Sequence, residues 1–521
     1  MTRRSFYLLI IPLSLSAFTH LWNPVGFPDI FYDEGIYLRR AMHLLGGFGP
    51  QESPTFYDHP FFGQIFLASI FKTIGYPNFL NPTSSIHSVE MLYIVPRVLM
   101  GILAVIDTFL IYKISEIRYN SKVALIASIL FAVMPLSWFT RRILLEPIQL
   151  PFLLSSILFA LYAIKAGNNT SIINGNYDKV RRIKMIKEIM PILLSGLLLG
   201  LAIFTKIPAI TTIPLIIYLI LVSYNIGHQR WKLLGIWFMP VVLIPLIWPV
   251  YSIAVGQFDS WLNGISYQIG REKVSLLQNL SNLFRIDPIL LLLFIAGLIA
   301  AAVKKDLFIL LLAIPNIIFL YIVGYVSFRL FIPLIPLFCI TAAVMISELL
   351  DRVKNKSIYR VLSGGVIIII GIFGLISTLL LVTTQVTAGQ FQSTVFVSTY
   401  LKNFENKFHD KHEVTTAASP TYSWIFKYVF GNDNVLFNYR DILYEPIKTD
   451  NVLLISDDHF RQDIKSNKKL GQFYNNTVLL AAFNDTRNIF NEDNYPYYSM
   501  KLNHEGLEAI EIRIGNNTIN S

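Results

Sequence analysis

Asp33 and Glu34 stand side by side in the segment FPDIFYDEGIYLRR (27–40), flanked by Phe31, Tyr32 and Tyr37, just past an apolar run long enough to cross a bilayer. His59, Arg97, Arg142, Glu146, Lys206 and Arg329 follow without any shared local spacing, each close to the end of an apolar run. A carboxylate can take a proton from an attacking group, and cations can steady the charge of a departing one. Gathered at one membrane boundary, these residues would suit a displacement with an anionic leaving group. A lipid phosphate fits that description, because its tail stays in the bilayer while its head group emerges at this height.

Bringing such residues together requires a membrane scaffold, and the composition provides one. The chain has 521 residues, of which 54% are hydrophobic and 15% charged, and its mean hydropathy is +0.53. A water-soluble globule of that size exposes more charge. The net charge of +10 does not point to nucleic acid, since the basic residues fall between apolar runs as topology determinants do. Cys339 is the only cysteine, which excludes an intramolecular disulfide and a cysteine-based metal site. Arg3 and Arg4 before an apolar stretch resemble a signal peptide, but no small-x-small site follows, so a retained first helix is expected.

Apolar runs that reach or approach spanning length lie at 6–22, 93–113, 123–139, 148–164, 189–205, 208–224, 233–254, 287–303, 307–323, 330–347 and 361–383, which predicts about eleven spans. The short run FFGQIFLASIFKTIGYP, from Phe61, carries Lys72 and Gly75. Reading it as interfacial places the basic segments 179–187 and 351–360 in the cytoplasm, with the N-terminus inside and the C-terminus outside. Residues 23–92 then form one external loop, in which Leu38, Met42 and Leu45 oppose Arg39, Arg40 and His43 as in a helix lying on the membrane surface. Arg39 and Arg40 would meet lipid head groups. Trp22, Trp138, Trp248 and Trp261 suit the interfacial belt.

The expected fold is therefore a polytopic α-helical membrane protein over 1–383 with a small extracytoplasmic α/β domain over 384–521. Strand-like runs at 451–457, 477–483 and 508–514 mark that second domain. Asn475, Asn484 and Asn516 head sequons in it, whereas the Asn168 and Asn169 sequons fall on the cytoplasmic side. Arg97, Arg142, Lys206 and Arg329 run against the positive-inside bias, so each is expected to find a partner or a ligand; Arg141, in the same position, is expected to snorkel.

The segments FYDEGIY, YDHPFFGQIFLA, RRILLEP, GLAIFTKIPA and FRLFIPLIP resemble, in order and topology, the GT-C glycosyltransferases that use polyprenyl-phosphate sugars, in particular the protein O-mannosyltransferase and lipid A aminoarabinose transferase group. The resemblance runs over roughly residues 1–350 and implies a polyprenyl-phosphate-linked sugar donor with a protein, glycan or lipid acceptor. It implies Asp33 as general base, with Glu34 holding or tuning it, and His59 and Glu146 as supporting or acceptor-binding residues. Phe61 stands where the group usually has a second proline after His59, and Glu146 where many relatives have aspartate. The resemblance further implies that Lys206 and Arg329 bind the donor phosphate, with Arg97 and Arg142 as further contacts. Some of these enzymes use a divalent metal, for which Asp33 and Glu146 would be the carboxylates; without a defined spacing they do not assign one.

Two alternatives stand beside this reading. An oligosaccharyltransferase would be expected to carry a longer external tail with a Trp-Trp-Asp-type motif. A lipid or solute transporter would place its polar residues near the midplane and repeat its halves.

Overall fold

The computed structural model describes residues 3–50, 57–168, 177–223, 227–271, 275–323, 328–353, 355–408, 414–444, 447, 449–483 and 509–516. The helical part runs α1 (Arg3–Leu21), α2 (Tyr32–Leu45), α3 (Phe62–Ile74), α4 (Ile86–Arg118), α5 (Ser121–Val133), α6 (Leu145–Asn168), α7 (Tyr177–Thr205), α8 (Ile213–Ser223), α9 (Gly227–Ala254), α10 (Phe258–Ile269), α11 (Leu276–Ile286), α12 (Pro288–Lys304), α13 (Leu307–Val323), α14 (Ile335–Asp351) and α15 (Lys356–Val382). Every apolar run named from the sequence is helical over most of its described residues. Among the described residues, Ile86–Arg118, Leu145–Lys165, Arg230–Ala254 and Arg329–Asp351 are long and apolar enough to cross a membrane, and Ser121–Val133 with Pro135–Arg141 forms a further candidate bent by 67°. The remaining apolar helices are shorter, among them the interfacial candidate Phe62–Ile74.

Local chemistry sets the helix boundaries. Asn120 caps α5 by accepting from the Lys122 and Val123 amides, both at 2.9 Å. Asp287 caps α12, whose first residue is Pro288, by accepting from Leu290 N at 2.9 Å. Such caps satisfy amide donors that the first helical turn leaves open. Arg97, in the third to fourth turn of α4, and Arg118, at its C-terminal end, lie roughly 30 Å apart along the helix axis. At the Arg118 end, Arg118 pairs with Asp306 at 3.0 Å, Lys122 with Asp351 at 3.1 Å and Lys304 with Glu348 at 2.7 Å. The short-loop basic residues at this end are therefore each offset by an acidic partner.

After α15 come α16 (Ala388–Phe408), β1 (Val414–Ala417), α17 (Pro420–Trp424), β2 (Asn451–Ser456), α18 (Asp458–Ser466), α19 (Lys468–Asn475), β3 (Val478–Phe483) and β4 (Ile510–Asn516). The sheet order is β1-β2-β4-β3, with β1 parallel to β2 and the other pairs antiparallel. Three of these strands match the sequence reading; β1, only VTTA, is too short and polar to show in the pattern. Asn475 ends α19 and Asn516 ends β4, while Asn484 and Asn169 lie outside the described residues.

One expectation about the external loop is corrected. The polar face of α2 does not meet a membrane surface: Arg39 is 2% and Arg40 1% exposed. Arg39 donates to the Phe437 carbonyl at 2.5 Å and Arg40 to Asp58 at 2.9 Å. Of the face that the helical periodicity assigns to water, the C-terminal unit covers Arg39 and the external-loop Asp58 takes up Arg40.

Candidate active site

Asp33 sits in the first turn of α2, where a carboxylate faces the positive end of the helix. It forms an ion pair with Arg329, which lies in the 3-10 segment Phe328–Leu334. Lys206 follows the end of α7 directly. Its amide is held by Ala202 O at 3.0 Å, its carbonyl accepts from the Gln149 side chain, and its ammonium pairs with Glu146 in the first turn of α6. Gly63 in α3 packs between Leu145 and Thr205, where a Cβ would stand 2.4 Å from the Leu145 side chain. This close approach holds the segment after His59 against the chain neighbours of Glu146 and Lys206.

A cavity of about 710 Å³ is bordered at its polar end by Asp58, His59, Lys206, Arg271 and Arg329. Its remaining wall is largely apolar and includes Phe238, Val242 and Leu246 of α9, with Trp248 and Trp261 in an edge-to-face contact at 5.6 Å. Phe238, Val242 and Leu246 are also on the exposed surface of the bundle, so the apolar wall continues onto the side that would meet lipid. Trp138 and Trp248 are buried within the protein.

The electrostatics of the polar end follow from burial and from opposed charges. Burial pushes His59 down to about 3; Asp58 at 4.0 Å opposes that shift, while Lys206, Arg40 and Arg271 reinforce it. His59 is thus a neutral imidazole at pH 7. Burial alone would raise Asp58, but Arg40 and His59 outweigh it and hold the carboxyl below its usual range. Tyr37 on α2 is driven well above its ordinary value by burial and by the nearby Glu146 and Asp58 carboxylates.

The other expected site residues form a separate, sealed network. Glu34 accepts from Arg97 at 2.6 Å, from Ile143 N at 2.9 Å and from Phe31 N at 3.0 Å. Arg97 also donates to the carbonyls of Pro24, Pro28 and Asp29. Arg142 reaches the Asp29 carboxylate at 2.6 Å and its carbonyl at 2.9 Å. Glu34, Arg97 and Arg142 are each at most 1% exposed, and none lines the cavity. Arg141 does not snorkel; it donates to the carbonyls of Thr19, Trp22 and Asn23 and so closes the end of α1.

The structure thus sets His59, Lys206 and Arg329 at one cavity end, joins Asp33 and Glu146 to it through their ion pairs with Arg329 and Lys206, and sets Glu34, Arg97 and Arg142 apart from it. Asp29, Asp58 and Arg271 were missed from sequence. Asp58 adjoins His59 and Asp29 lies four residues before Asp33, so proximity was the available signal; Arg271 carried none. Among the described residues, no three His, Cys, Asp or Glu side chains converge to hold a metal. Asp33 and Glu146 each hold a cationic side chain instead, and this donor set does not fit a metal site.

The chain thus combines a bundle of apolar helices, a small mixed sheet after it and a cavity bordered by ion-paired cations. The solved structures that resemble the chain are GT-C glycosyltransferases. ArnT from Cupriavidus metallidurans bound to undecaprenyl phosphate aligns with a TM-score of 0.56 and 11% identity, covering 98% of this chain and 98% of that one. The Archaeoglobus fulgidus oligosaccharyltransferase AglB, in complex with an inhibitory peptide and a dolichol-phosphate, aligns with a TM-score of 0.54 and 12% identity, covering 92% of this chain and 73% of that one. At these identities the likeness is one of fold. No family model matches the sequence, and no curated protein is significantly similar to it.

Proposed function

We propose that this chain is an integral membrane glycosyltransferase with about eleven crossings, which moves a sugar from a polyprenyl-phosphate donor to an acceptor on the extracytoplasmic face. The carrying observation is a cavity whose largely apolar wall includes surface residues of α9 and whose border also holds Lys206 and Arg329. The N-terminus would lie in the cytoplasm, and the unit over 384–521 outside.

In this reading the donor's isoprenoid chain enters along α9 and its phosphate meets Lys206 and Arg329. Arg329 turns from Asp33 to the phosphate, leaving the Asp33 carboxylate to accept the proton of the acceptor. The acceptor oxygen forms a bond to the anomeric carbon while the bond from that carbon to the phosphate oxygen breaks. The electron pair goes to the phosphate, and a single displacement inverts the centre. Lys206 and Arg329 offset the growing charge, so this leaving group needs no acid. Glu146 keeps Lys206 extended toward the phosphate. Glu34, Arg97 and Arg142 act at a distance, by holding the segment 24–34 against the bundle.

The test is transfer in vitro from a panel of polyprenyl-phosphate sugars by the wild type and Asp33→Asn. Transfer by the wild type alone supports the proposal. Equal transfer by both removes Asp33 from the mechanism, and no transfer from any donor favours lipid transport.

A further inference from the structure

Helix α2 presents three stripes to three surroundings. Asp33 and Arg40 face the cavity side, through Arg329 and Asp58. Glu34, Leu38 and Ala41 are fully buried against the bundle. Tyr32, Gly35 and Arg39 are spaced as neighbours on one helix face, and that face meets the C-terminal unit at every position. Tyr32 accepts a hydrogen bond from the Asn438 side chain, packs with the cluster that holds Tyr439 and Phe460, and lies 5.1 Å from the His459 ring. Gly35 lies so close to α17 that a Cβ would stand 2.2 Å from the Pro420 carbonyl oxygen. Arg39 donates to the Phe437 carbonyl at 2.5 Å and lies over the Phe437 ring at 5.0 Å.

The surface under α2 is itself fixed to the bundle. Tyr93 of α4 donates to the Thr421 carbonyl at 2.7 Å, and Trp424 Nε1 donates to the Tyr93 hydroxyl at 3.0 Å. A continuous path therefore runs from α4 through α17 to the backbone of Gly35. Without it, the first turn of α2 would be held mainly by Glu34 and by the ion pair of Asp33 itself. A roll of about 10° moves a carboxylate some 5 Å from the helix axis by about 1 Å, and a misplacement of that size can cost about a hundred-fold in rate.

We propose that the C-terminal unit is the seat that fixes the roll and height of α2, which makes Gly35 and Arg39 positioning residues for Asp33. This inference rests on the reading of Asp33 as the base. Gly35 is required because the seat approaches through main chain, which cannot rotate away from a methyl group as a side chain could. Arg39 sets the far end of the stripe.

The test uses full-length protein in liposomes and compares Gly35→Ala, Arg39→Gln and Arg39→Lys with the wild type. Gly35→Ala and Arg39→Gln are expected to lose about ten- to hundred-fold in kcat, with donor KM within about two-fold and an unchanged stoichiometry of polyprenyl-phosphate binding. Arg39→Lys keeps a charged donor and should recover part of the loss. Amide exchange in the first turn of α2 should quicken in the two impaired variants, while that of α4 and α6 stays at the wild-type rate. Wild-type kcat in both variants overturns the seat. Should the wild type transfer no sugar, the reading of Asp33 fails, and the exchange measurement decides the seat separately: unchanged α2 exchange overturns it.

Discussion

Asp33 and Glu34 are neighbours in the chain and each meets an arginine, yet the two pairs are built for different purposes. Glu34 and Arg97 are nearly saturated: both carboxylate oxygens and both terminal guanidinium nitrogens have partners, most of them backbone groups of 24–31 and Ile143, and only Arg97 Nε has no hydrogen-bond partner among the described residues. Asp33 is partly exposed, and its arginine borders the cavity. Glu146 and Lys206 resemble the second kind, because Glu146 keeps one oxygen without a hydrogen-bond partner among the described residues. A sealed pair whose carboxylate spends all its acceptors on the fold holds the chain in place. A pair with capacity to spare beside a cavity can exchange partners when an anion arrives.

That contrast breaks first at Asp33→Asn. Removing a positioned base typically costs about 10²–10⁴-fold in rate, so turnover should collapse while the thermal midpoint moves little. Glu34→Gln should do the reverse. It leaves the Arg97 charge buried without its counter-ion, a change that typically costs about 3–5 kcal/mol of stability. Cys339 is buried and the only thiol, so a thiol-reactive fluorophore reports unfolding directly in both variants. Equal midpoints for Glu34→Gln and the wild type would end the distinction between the two pairs.

Arg329→Gln tests the exchange itself. Loss of one electrostatic contact to a developing anion typically raises the barrier by about 3–4 kcal/mol. The expected signature is a fall in kcat with the midpoint lowered less than by Glu34→Gln, since Asp33 retains access to solvent. A variant that loses donor affinity but keeps kcat would assign Arg329 to ground-state binding alone.

The scaffold was far more legible in the sequence than the pairing. Long apolar runs can bury themselves only as helices in lipid, and each of them became helical, one with a bend of 67°; strand β2 announced itself by a short continuous apolar run and β4 by apolar alternation. The side of α2 that would be covered was not legible, because periodicity separates two faces without saying what lies over the polar one. For Arg97 and Arg142 the unfavourable side of the membrane was visible, but their partners were not. Asp29 and the carbonyls of 24–29 reach those arginines only after the loop has folded back onto α4. A charge against the topology bias marks a residue with a partner, and only the fold shows whether that partner is protein or ligand.

The smallest expected effect lies at His59, in the same polar end but outside both kinds of pair. Its folded value of about 3 lies below its ordinary 6.5, so the unfolded chain takes up a proton that the folded one refuses. Stability from this group is complete above pH 6.5 and falls as acid is added, by at most about 1.4 kcal/mol per pH unit. Asp58 does not interfere in this window, because its shift acts only near and below its ordinary 3.8. Tryptophan fluorescence melts of the wild type between pH 7.5 and pH 5 should therefore show a decline that His59→Gln reduces. An unchanged decline in the variant would place the acid-sensitive group elsewhere and would mean that His59 takes up its proton as readily folded as unfolded, so that below its ordinary 6.5 it adds a cation to the cavity end bordered by Lys206 and Arg329.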